Sequence, residues 1–374
     1  MGHMIGSASP DYRSRVLGLL LGGAAGDALG YTVEFSSREQ ILARHPQGLA
    51  QPEQVDGVHR DGTGQTLPIS DDTQMTLYVL DGLLEWIEWA NDGQMADPAA
   101  SVWLACLRWW RTQNGRVPDG APQPPGRWID AHRELHVQRA PGNACLSGLD
   151  RPDMGLPRDP SNTQSKGCGT VMRSAPYGMV PRLEDHLVVS LARQGAVLTH
   201  GHPAAWTSAA AFALIIGALM AGRPLAEAVE AGRGWLAGLS PQDPDGGTLA
   251  LLDRAVTLGE AAAGGGGGAD RAGPDRLPEE LGEGWVAEEA LAIAVFAVLS
   301  TEPAAQTPQD HLEQALRLAI TQGGDSDSTA SLTGQLLGAH HGMAVFGPQQ
   351  SVPAWVREHE VIREAAQRWA DATH

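Results

Sequence analysis

The sequence predicts an all-α protein, and three observations support this fold class. Apolar residues recur with the spacing of a helix face along most of the 374 residues. Runs that alternate apolar and polar residues and end in hairpin turns, which are typical of strands, are scarce. Helix-boundary residues are also present: Asp97-Pro98 and His202-Pro203 place proline in a first turn, and Gly93, Gly222 and Gly342 stand at expected ends.

The periodic segments predict a series of helices in chain order. Their ranges are 12–28, 72–91, 97–112, 184–200, 203–221, 224–239, 246–262, 285–300, 308–322, 328–341 and 352–371. Between Ala209 and Met220 the sequence is apolar on every side, which is typical of a helix at the centre of a core.

Long polar stretches interrupt the helices at 44–69, 112–167 and 262–284. The last contains five consecutive glycines from residue 264 and predicts a flexible surface loop. Helices of the same character flank that loop, so we predict one domain over residues 11–374. Residues 1–10 are interpreted as a tag or a disordered N-terminus.

The composition of the chain disfavours several classes of function. A net charge of −18 disfavours binding to nucleic-acid phosphates. Three cysteines without CxxC spacing argue against a disulfide framework and fit a reducing compartment. The apolar run at 16–29 is short, broken by glycines and interrupted by Asp27, so it predicts neither a signal peptide nor a membrane span. We therefore expect a cytoplasmic protein without membrane or nucleic-acid partners, and we expect a monomer.

Two acidic clusters lie far apart in the chain and match each other. They are Ser70-Asp71-Asp72-Thr73 and Gly323-Gly324-Asp325-Ser326-Asp327-Ser328-Thr329. Each offers two carboxylates flanked by hydroxyl groups at the start of a predicted helix, and hard cations such as Mg²⁺ prefer oxygen ligands of this kind. Four carboxylates at close range also require positive charge between them. The clusters together predict a two-metal hydrolytic site.

Helix capping is the competing interpretation, because serine and aspartate are favoured at the residue before a helix. For the C-terminal cluster alone, capping and metal binding carry equal weight. An EF-hand loop is excluded there, because Ala330 stands where the loop needs glycine and Leu336 stands where it needs glutamate.

Other segments carry weaker signals. The glycine-rich stretch at 22–30 lacks the spacing of a nucleotide-binding loop and predicts a face for close helix packing. Glu34 follows this stretch, in a loop where an acid could face a cavity, although by itself it is interpreted as a surface residue.

The middle of the chain carries a second glycine-containing segment. Gly167-Cys168-Gly169 could form an anion-binding nest, or only a loop before a helix. Arg173 could pair with a carboxylate or a phosphate. No activating base stands beside Cys168, which disfavours a nucleophile.

Histidines and tryptophans add further candidates. His200 and His202 indicate either a packed histidine at a helix end or a donor to a sugar or phosphate oxygen. A zinc site is disfavoured, because no third ligand has suitable spacing. His340-His341 is interpreted as structural. Trp128, Trp206 or a tyrosine could stack on adenine, although most tryptophans in this chain are better explained as core residues.

Taken in order, these motifs resemble the ADP-ribosylglycohydrolase family. The resemblance extends from about residue 13 to residue 342, and the ordered set is far more specific than any one motif. The matching segments are residues 18–30, 70–75, 167–173, 199–203, 284–291 and 323–330.

This resemblance implies a compact orthogonal helical bundle with a central cleft that holds two Mg²⁺ or Mn²⁺ ions. The implied activity is hydrolysis of the glycosidic bond at the distal ribose of an ADP-ribose conjugate, which releases ADP-ribose from a modified protein or small-molecule acceptor. A non-catalytic ADP-ribose or nucleotide-binding protein on the same scaffold is the alternative. A general di-metal phosphohydrolase is disfavoured, because histidines are scarce near the acidic clusters.

The family's site residues fall on identifiable positions. The implied metal ligands are Ser70, Asp71, Asp72, Asp325, Asp327 and Ser328, with Asp327 as the bridging carboxylate. The implied substrate contacts are Gly167, Cys168, Gly169, Thr170 and His200, and Cys168 stands where some relatives have asparagine. Glu34 or Asp72 is expected to transfer the proton in a reaction at an oxocarbenium-like carbon.

Overall fold

The computed structural model describes residues 10–240, 244–264 and 276–373. Its α-helices are Tyr12–Gly30 (α1), Arg38–Arg44 (α2), Asp71–Asn91 (α3), Pro98–Asn114 (α4), Asn143–Leu149 (α5), Ala175–Met179 (α6), Asp185–Val197 (α7), Pro203–Met220 (α8), Leu225–Ala237 (α9), Thr248–Ala263 (α10), Ala287–Thr301 (α11), Pro308–Ile320 (α12), Ser326–His341 (α13) and His359–Thr373 (α14). Pairing between extended segments is limited, in these parts of the chain, to isolated bridges such as Gly167 with Val286. The predicted all-α class is confirmed.

Every helix predicted from periodicity is present, but the last begins later than expected. The predicted range of 352–371 is wrong at its start, because α14 begins at His359. The segment before it is held in an extended form, since Leu67 and Val356 form a bridge and the Arg357 amide donates to the Leu67 carbonyl. Helices α2, α5 and α6 were not predicted, because one or two turns are too short to show a periodic pattern.

Helices α1 and α13 pack antiparallel at very short range through small residues. A Cβ atom added to Gly22 would lie 2.4 Å from the carbonyl oxygen of Gly334, and one added to Gly26 would lie 2.1 Å from that of Ala330. The prediction that these glycines form a packing face is confirmed. The last turn of α1 therefore lies against the first turn of α13, so the loop that carries Glu34 lies beside the C-terminal acidic cluster.

Helix α8 lies at the centre of the core, as its apolar sequence predicts. All residues from 209 to 216 are buried. This helix is long and apolar enough to cross a membrane by composition, but 83% of it is buried inside the protein. Burial of that extent is typical of a core helix.

Two predictions concern residues that lie mostly outside the described parts of the chain. The N-terminal segment expected to be a tag or disordered is described only at Pro10. Of the glycine run expected to be flexible, only Gly264 is described, where it ends α10. The described flanks of that predicted loop carry a helical turn at Glu279–Leu281. The single domain over 11–374 stays a prediction.

Candidate active site

Asp27, near the end of α1, holds the start of α3 in place. Its Oδ1 accepts a hydrogen bond from the backbone amide of Ser70 at 2.8 Å, and its Oδ2 accepts from the amide of Thr73 at 3.1 Å and from the Thr73 hydroxyl. The side chain is fully buried. Burial and the nearby Asp327 raise the pKa of Asp27 to about 7. Sequence reasoning gave Asp27 no role, although a lone acid in an apolar helix is a usable signal.

The first turn of α3 places the N-terminal acidic cluster. Ser70 is the N-cap, and its Oγ accepts from the amide of Asp72 at 3.2 Å. Oδ2 of Asp71 accepts from the amide of Gly142 at 3.2 Å. Oδ2 of Asp72 is buried and has no hydrogen-bond partner among the described residues. Capping therefore explains Ser70 but leaves an Asp72 oxygen unsatisfied.

The first turn of α13 repeats this arrangement. Asp325 is the N-cap, and its Oδ1 accepts from the amide of Ser328 at 3.3 Å. Asp327 is also buried, and its Oδ1 has no partner in the described chain. Burial raises the pKa of Asp327, whereas contacts with Asp325 and with the hydroxyl of Ser70 lower it. The contact with Ser70 shows that the two acidic clusters meet.

Glu34 is buried in the same region, which corrects its interpretation as an isolated surface residue. Only 8% of its surface is exposed, and its Oε2 has no hydrogen-bond partner among the described residues. Burial, followed by repulsion from Asp327 and Asp325, raises the pKa of Glu34 to about 9. The antiparallel packing of α1 on α13 is the reason for this location, which sequence alone does not show.

The charges of these acids interact with one another. Burial raises the pKa values of Asp71, Asp72 and Asp325 well above their ordinary range. Repulsion between these acids raises the values further. The described hydrogen bonds to the cluster come from backbone amides, hydroxyl groups and one thiol, and none comes from a cation. Buried carboxylates without a cationic partner are costly in their charged form, so this cluster requires positive charge from a bound group.

The donor set fits a hard divalent cation in its chemistry. The oxygens without partners belong to Asp72, Asp327 and Glu34, which come from three different segments. Ser70 at the start of α3 and Ser328 at the start of α13 add hydroxyl groups. Hard cations take oxygen ligands of these types. In the described parts of the chain, however, no three His, Cys, Asp or Glu side chains are grouped so as to hold one ion as they stand.

The glycine loop at 167–169 is fixed to the start of α11. The amide of Cys168 donates to the Trp285 carbonyl at 3.1 Å, and the amide of Ala287 donates to the Lys166 carbonyl at 2.9 Å. An ion pair between Lys166 and Glu288 adds to this attachment. Because the Cys168 amide is already engaged, the predicted anion nest lacks one of its donors.

Cys168 and Thr170 have partners within the fold. The Cys168 thiol donates to Oδ2 of Asp325 at 2.8 Å, and burial together with Asp325 raises the pKa of that thiol well above its usual value. A protonated thiol agrees with the interpretation that Cys168 is not a nucleophile, which the sequence favours. The Thr170 hydroxyl donates to the Ala205 carbonyl at 2.8 Å. Substrate binding by either residue stays a prediction.

His200 lies against the glycine loop. Its Nε2 would be 3.3 Å from a Cβ added to Gly167 and 3.4 Å from one added to Gly169. Its Nδ1 lies 2.7 Å from Oγ1 of Thr199, which also accepts from Arg173 at 2.7 Å. Burial and then Arg173 lower the pKa of His200 to about 3, so the ring is neutral. Because arginine only donates, the Thr199 hydroxyl proton is available to Nδ1, which favours a proton on Nε2.

Arg173 is buried and binds protein groups other than the carboxylate or phosphate considered from the sequence. It donates to the carbonyls of Gly169 and Gly195 as well as to Thr199. Arg173 thus joins the glycine loop to the residue that positions His200.

The tryptophans considered for adenine stacking are engaged elsewhere. Trp128 donates to Asp81 at 2.7 Å and stacks under Arg368. Trp206 is buried, packs edge-on against Trp235 and lies under Arg193. Among the described residues, Phe35 and Trp285 form an exposed aromatic pair, which sequence reasoning missed. Each directly follows a residue that packs at the acidic site.

The match of this chain to a family of glycohydrolases places the protein among the hydrolases. The chain belongs to the ADP-ribosylglycohydrolase family, whose model matches residues 8–374. The fold is also similar to a solved structure described as an ADP-ribosylglycohydrolase-related protein complex, with a TM-score of 0.61 and 24% sequence identity. That similarity covers 97% of this chain and 99% of the other. The resemblance inferred from the motifs is confirmed.

Proposed function

We propose that this protein hydrolyses the glycosidic bond at the distal ribose of an ADP-ribose conjugate and releases ADP-ribose from a modified protein or small-molecule acceptor. Membership of the family supports a glycohydrolase. The observation that carries the finer proposal is that Asp72 and Glu34 are both repelled by the nearby Asp327, and that each of these three residues has a buried oxygen without a partner among the described residues. Such oxygens are costly to bury unless a bound group satisfies them.

We propose two Mg²⁺ or Mn²⁺ ions as that group. Their ligands would be Ser70, Asp71, Asp72, Asp325, Asp327 and Ser328. When bound, the ions would neutralise the carboxylates, orient the ribose hydroxyls and supply the attacking water. The ligand side chains would have to turn toward the ions, since no three of the described acids are grouped for binding as they stand.

Glu34 is the preferred group for proton transfer in this proposal. Burial raises the pKa of Glu34, which favours the protonated form that a general acid for the leaving group needs. Asp72 is the alternative, but it would be occupied as a metal ligand. Water would then attack an oxocarbenium-like carbon of the ribose while Glu34 protonates the departing atom of the acceptor.

The glycine loop and His200 would bind the rest of the ligand. A side chain at position 167 would crowd Nε2 of His200, so glycine keeps the space beside that nitrogen free. A neutral imidazole with a proton on Nε2 can donate to a ribose or phosphate oxygen without repelling the cations nearby.

The test is release of ADP-ribose from a panel of conjugates with arginine, serine and O-acetyl acceptors, each assayed with Mg²⁺, Mn²⁺ or EDTA. We expect turnover of at least one conjugate, loss with EDTA, and recovery with Mg²⁺ or Mn²⁺. Asp327→Asn should lower turnover on the order of 100-fold, whereas the exposed control Asp92→Asn should not.

The same assay separates the other two hypotheses. A protein that binds ADP-ribose tightly and releases it from no conjugate would be the non-catalytic alternative. Release of inorganic phosphate in place of ADP-ribose would identify a phosphohydrolase. Wild-type turnover by Asp327→Asn would contradict the bridging role of that residue.

A further inference from the structure

Two exposed aromatic rings lie together beside the acidic site. Phe35 is 77% exposed and Trp285 is 40% exposed. Their ring centroids are 6.3 Å apart and their planes differ by 18°, so the rings are nearly parallel at the long end of the range for stacking. Apolar rings that stay open to solvent contribute little to the core, which makes them candidates for binding.

Phe35 is placed by the loop that carries the proposed acid. It directly follows Glu34, and the next residues of the same loop pack on the turn before α13. A Cβ added to Gly323 would lie 2.4 Å from the amide nitrogen of Arg38. Phe35 therefore belongs to a segment that packs beside the C-terminal acidic cluster, next in sequence to the proposed acid.

Trp285 is placed by the loop that supports the glycine loop. Its carbonyl accepts from the amide of Cys168. The preceding Gly284 packs on α13, because a Cβ added there would lie 2.6 Å from Thr329 and 3.4 Å from Cβ of Asp325. Both rings thus come from segments that pack at the start of α13, near the C-terminal acidic cluster.

We propose that Phe35 and Trp285 form a subsite for the acceptor, the group from which ADP-ribose is cleaved. This inference rests on the proposed function. The acid that protonates a leaving atom lies on the leaving-group side of the scissile bond, so the ring next to Glu34 flanks the acceptor. Adenine is separated from the scissile bond by two riboses and a diphosphate, which places it away from the residue that follows Glu34. The occupant is the apolar or planar face of the acceptor segment that bears the ribose.

The test compares two measurements on each variant. One is the pair of constants kcat and KM for the ADP-ribosylated peptide that the wild type hydrolyses best. The other is the inhibition constant of free ADP-ribose, which lacks an acceptor. Phe35→Ala and Trp285→Ala should each raise KM for the peptide about tenfold, since each loses most of a buried aromatic contact. The inhibition constant should stay within about twofold, and Trp285→Phe should retain most of the activity.

Trp89→Ala is the matched control. Trp89 is 43% exposed and lies near the far end of α3, about 25 Å along the helix from Asp72. It should change neither quantity. Thermal unfolding of each variant separates loss of the subsite from loss of the fold.

Several outcomes would overturn the inference. Equal losses in peptide hydrolysis and in ADP-ribose inhibition would show that the rings contact ADP-ribose or only shape the loops. Unchanged kinetics in both alanine variants would show that the rings bind nothing. A wild-type protein that binds ADP-ribose but cleaves no conjugate would remove the proposed function itself, and the acceptor subsite with it.

Discussion

The carboxylate of Asp27 accepts the backbone amide of Ser70 at 2.8 Å, and this contact joins the end of α1 to the acidic first turn of α3. Asp27 also accepts two hydrogen bonds from Thr73. Because α1 packs on α13 through its glycines, the same residue fixes α3 relative to both ends of the chain. Asp27 is therefore a positioning residue for the acidic site.

Asp27→Ala should lower the free energy of unfolding by about 2–3 kcal/mol, because two buried amides and one hydroxyl lose their hydrogen-bond acceptor. Urea unfolding with Mg²⁺ present measures this loss. The control is Asp92→Ala, an exposed position after the end of α3, which should change stability by less than about 0.5 kcal/mol. Equal stabilities of the two variants would contradict the positioning role.

Removal of divalent cations should make stability depend on pH in a defined direction. The folded pKa values of Asp27, about 7, and Glu34, about 9, lie above ordinary carboxyl values. A raised folded pKa contributes stability that is fully present below the unfolded pKa, near 4, and is lost as pH rises through the folded pKa. In EDTA, the melting temperature should therefore fall between pH 6.5 and 9.

Magnesium should reverse this trend, because cations bind the deprotonated carboxylates. The increase in melting temperature on adding Mg²⁺ should be larger at pH 8.5 than at pH 6.5. Thermal unfolding across that range, with and without EDTA, measures both effects. A melting temperature in EDTA that rises or stays level with pH would contradict the shared burial of these acids.

Much of the fold follows from local sequence. Long periodic segments such as α3 and α8 were placed within one or two residues, since amphipathic or wholly apolar patterns specify them. The two capped acidic turns were also predictable, because Ser70 and Asp325 have the chemistry that caps helices. The start of α14 was not predictable, because a tertiary bridge to Leu67 holds the preceding segment extended.

The parts of the site that sequence reasoning missed depend on contacts between distant segments. Glu34 is buried beside α13, on which α1 packs, and no local pattern around it indicates burial. Asp27 acts through hydrogen bonds to the start of α3, whose N-cap Ser70 lies 43 positions later. Arg173 looks like an anion-binding residue in sequence, but the fold directs it to carbonyls and to Thr199. Tertiary packing decides each of these roles.

Thr199→Val should weaken ADP-ribose binding about tenfold. The valine has a similar shape but leaves Nδ1 of His200 and Nη2 of Arg173 without the hydroxyl that joins them. Thr199→Ser keeps the hydroxyl and should bind within about threefold of the wild type. Isothermal titration with ADP-ribose measures both, and equal affinities for the two variants would show that Thr199 does not position His200.

Gly26→Ala should destabilise the protein by about 3 kcal/mol and reduce turnover together with stability. The added Cβ would lie 2.1 Å from the Ala330 carbonyl oxygen, so α1 and α13 must separate near the turn that carries Asp327. Gly234→Ala is the matched control, because that helical glycine is exposed and its nearest neighbour is the end of a glutamate side chain at 3.5 Å. The control should be neutral or stabilising by up to about 1 kcal/mol, since alanine favours a helix. Urea unfolding measures both variants, and a Gly26→Ala protein as stable as its control would refute the close packing that brings the two acidic turns together.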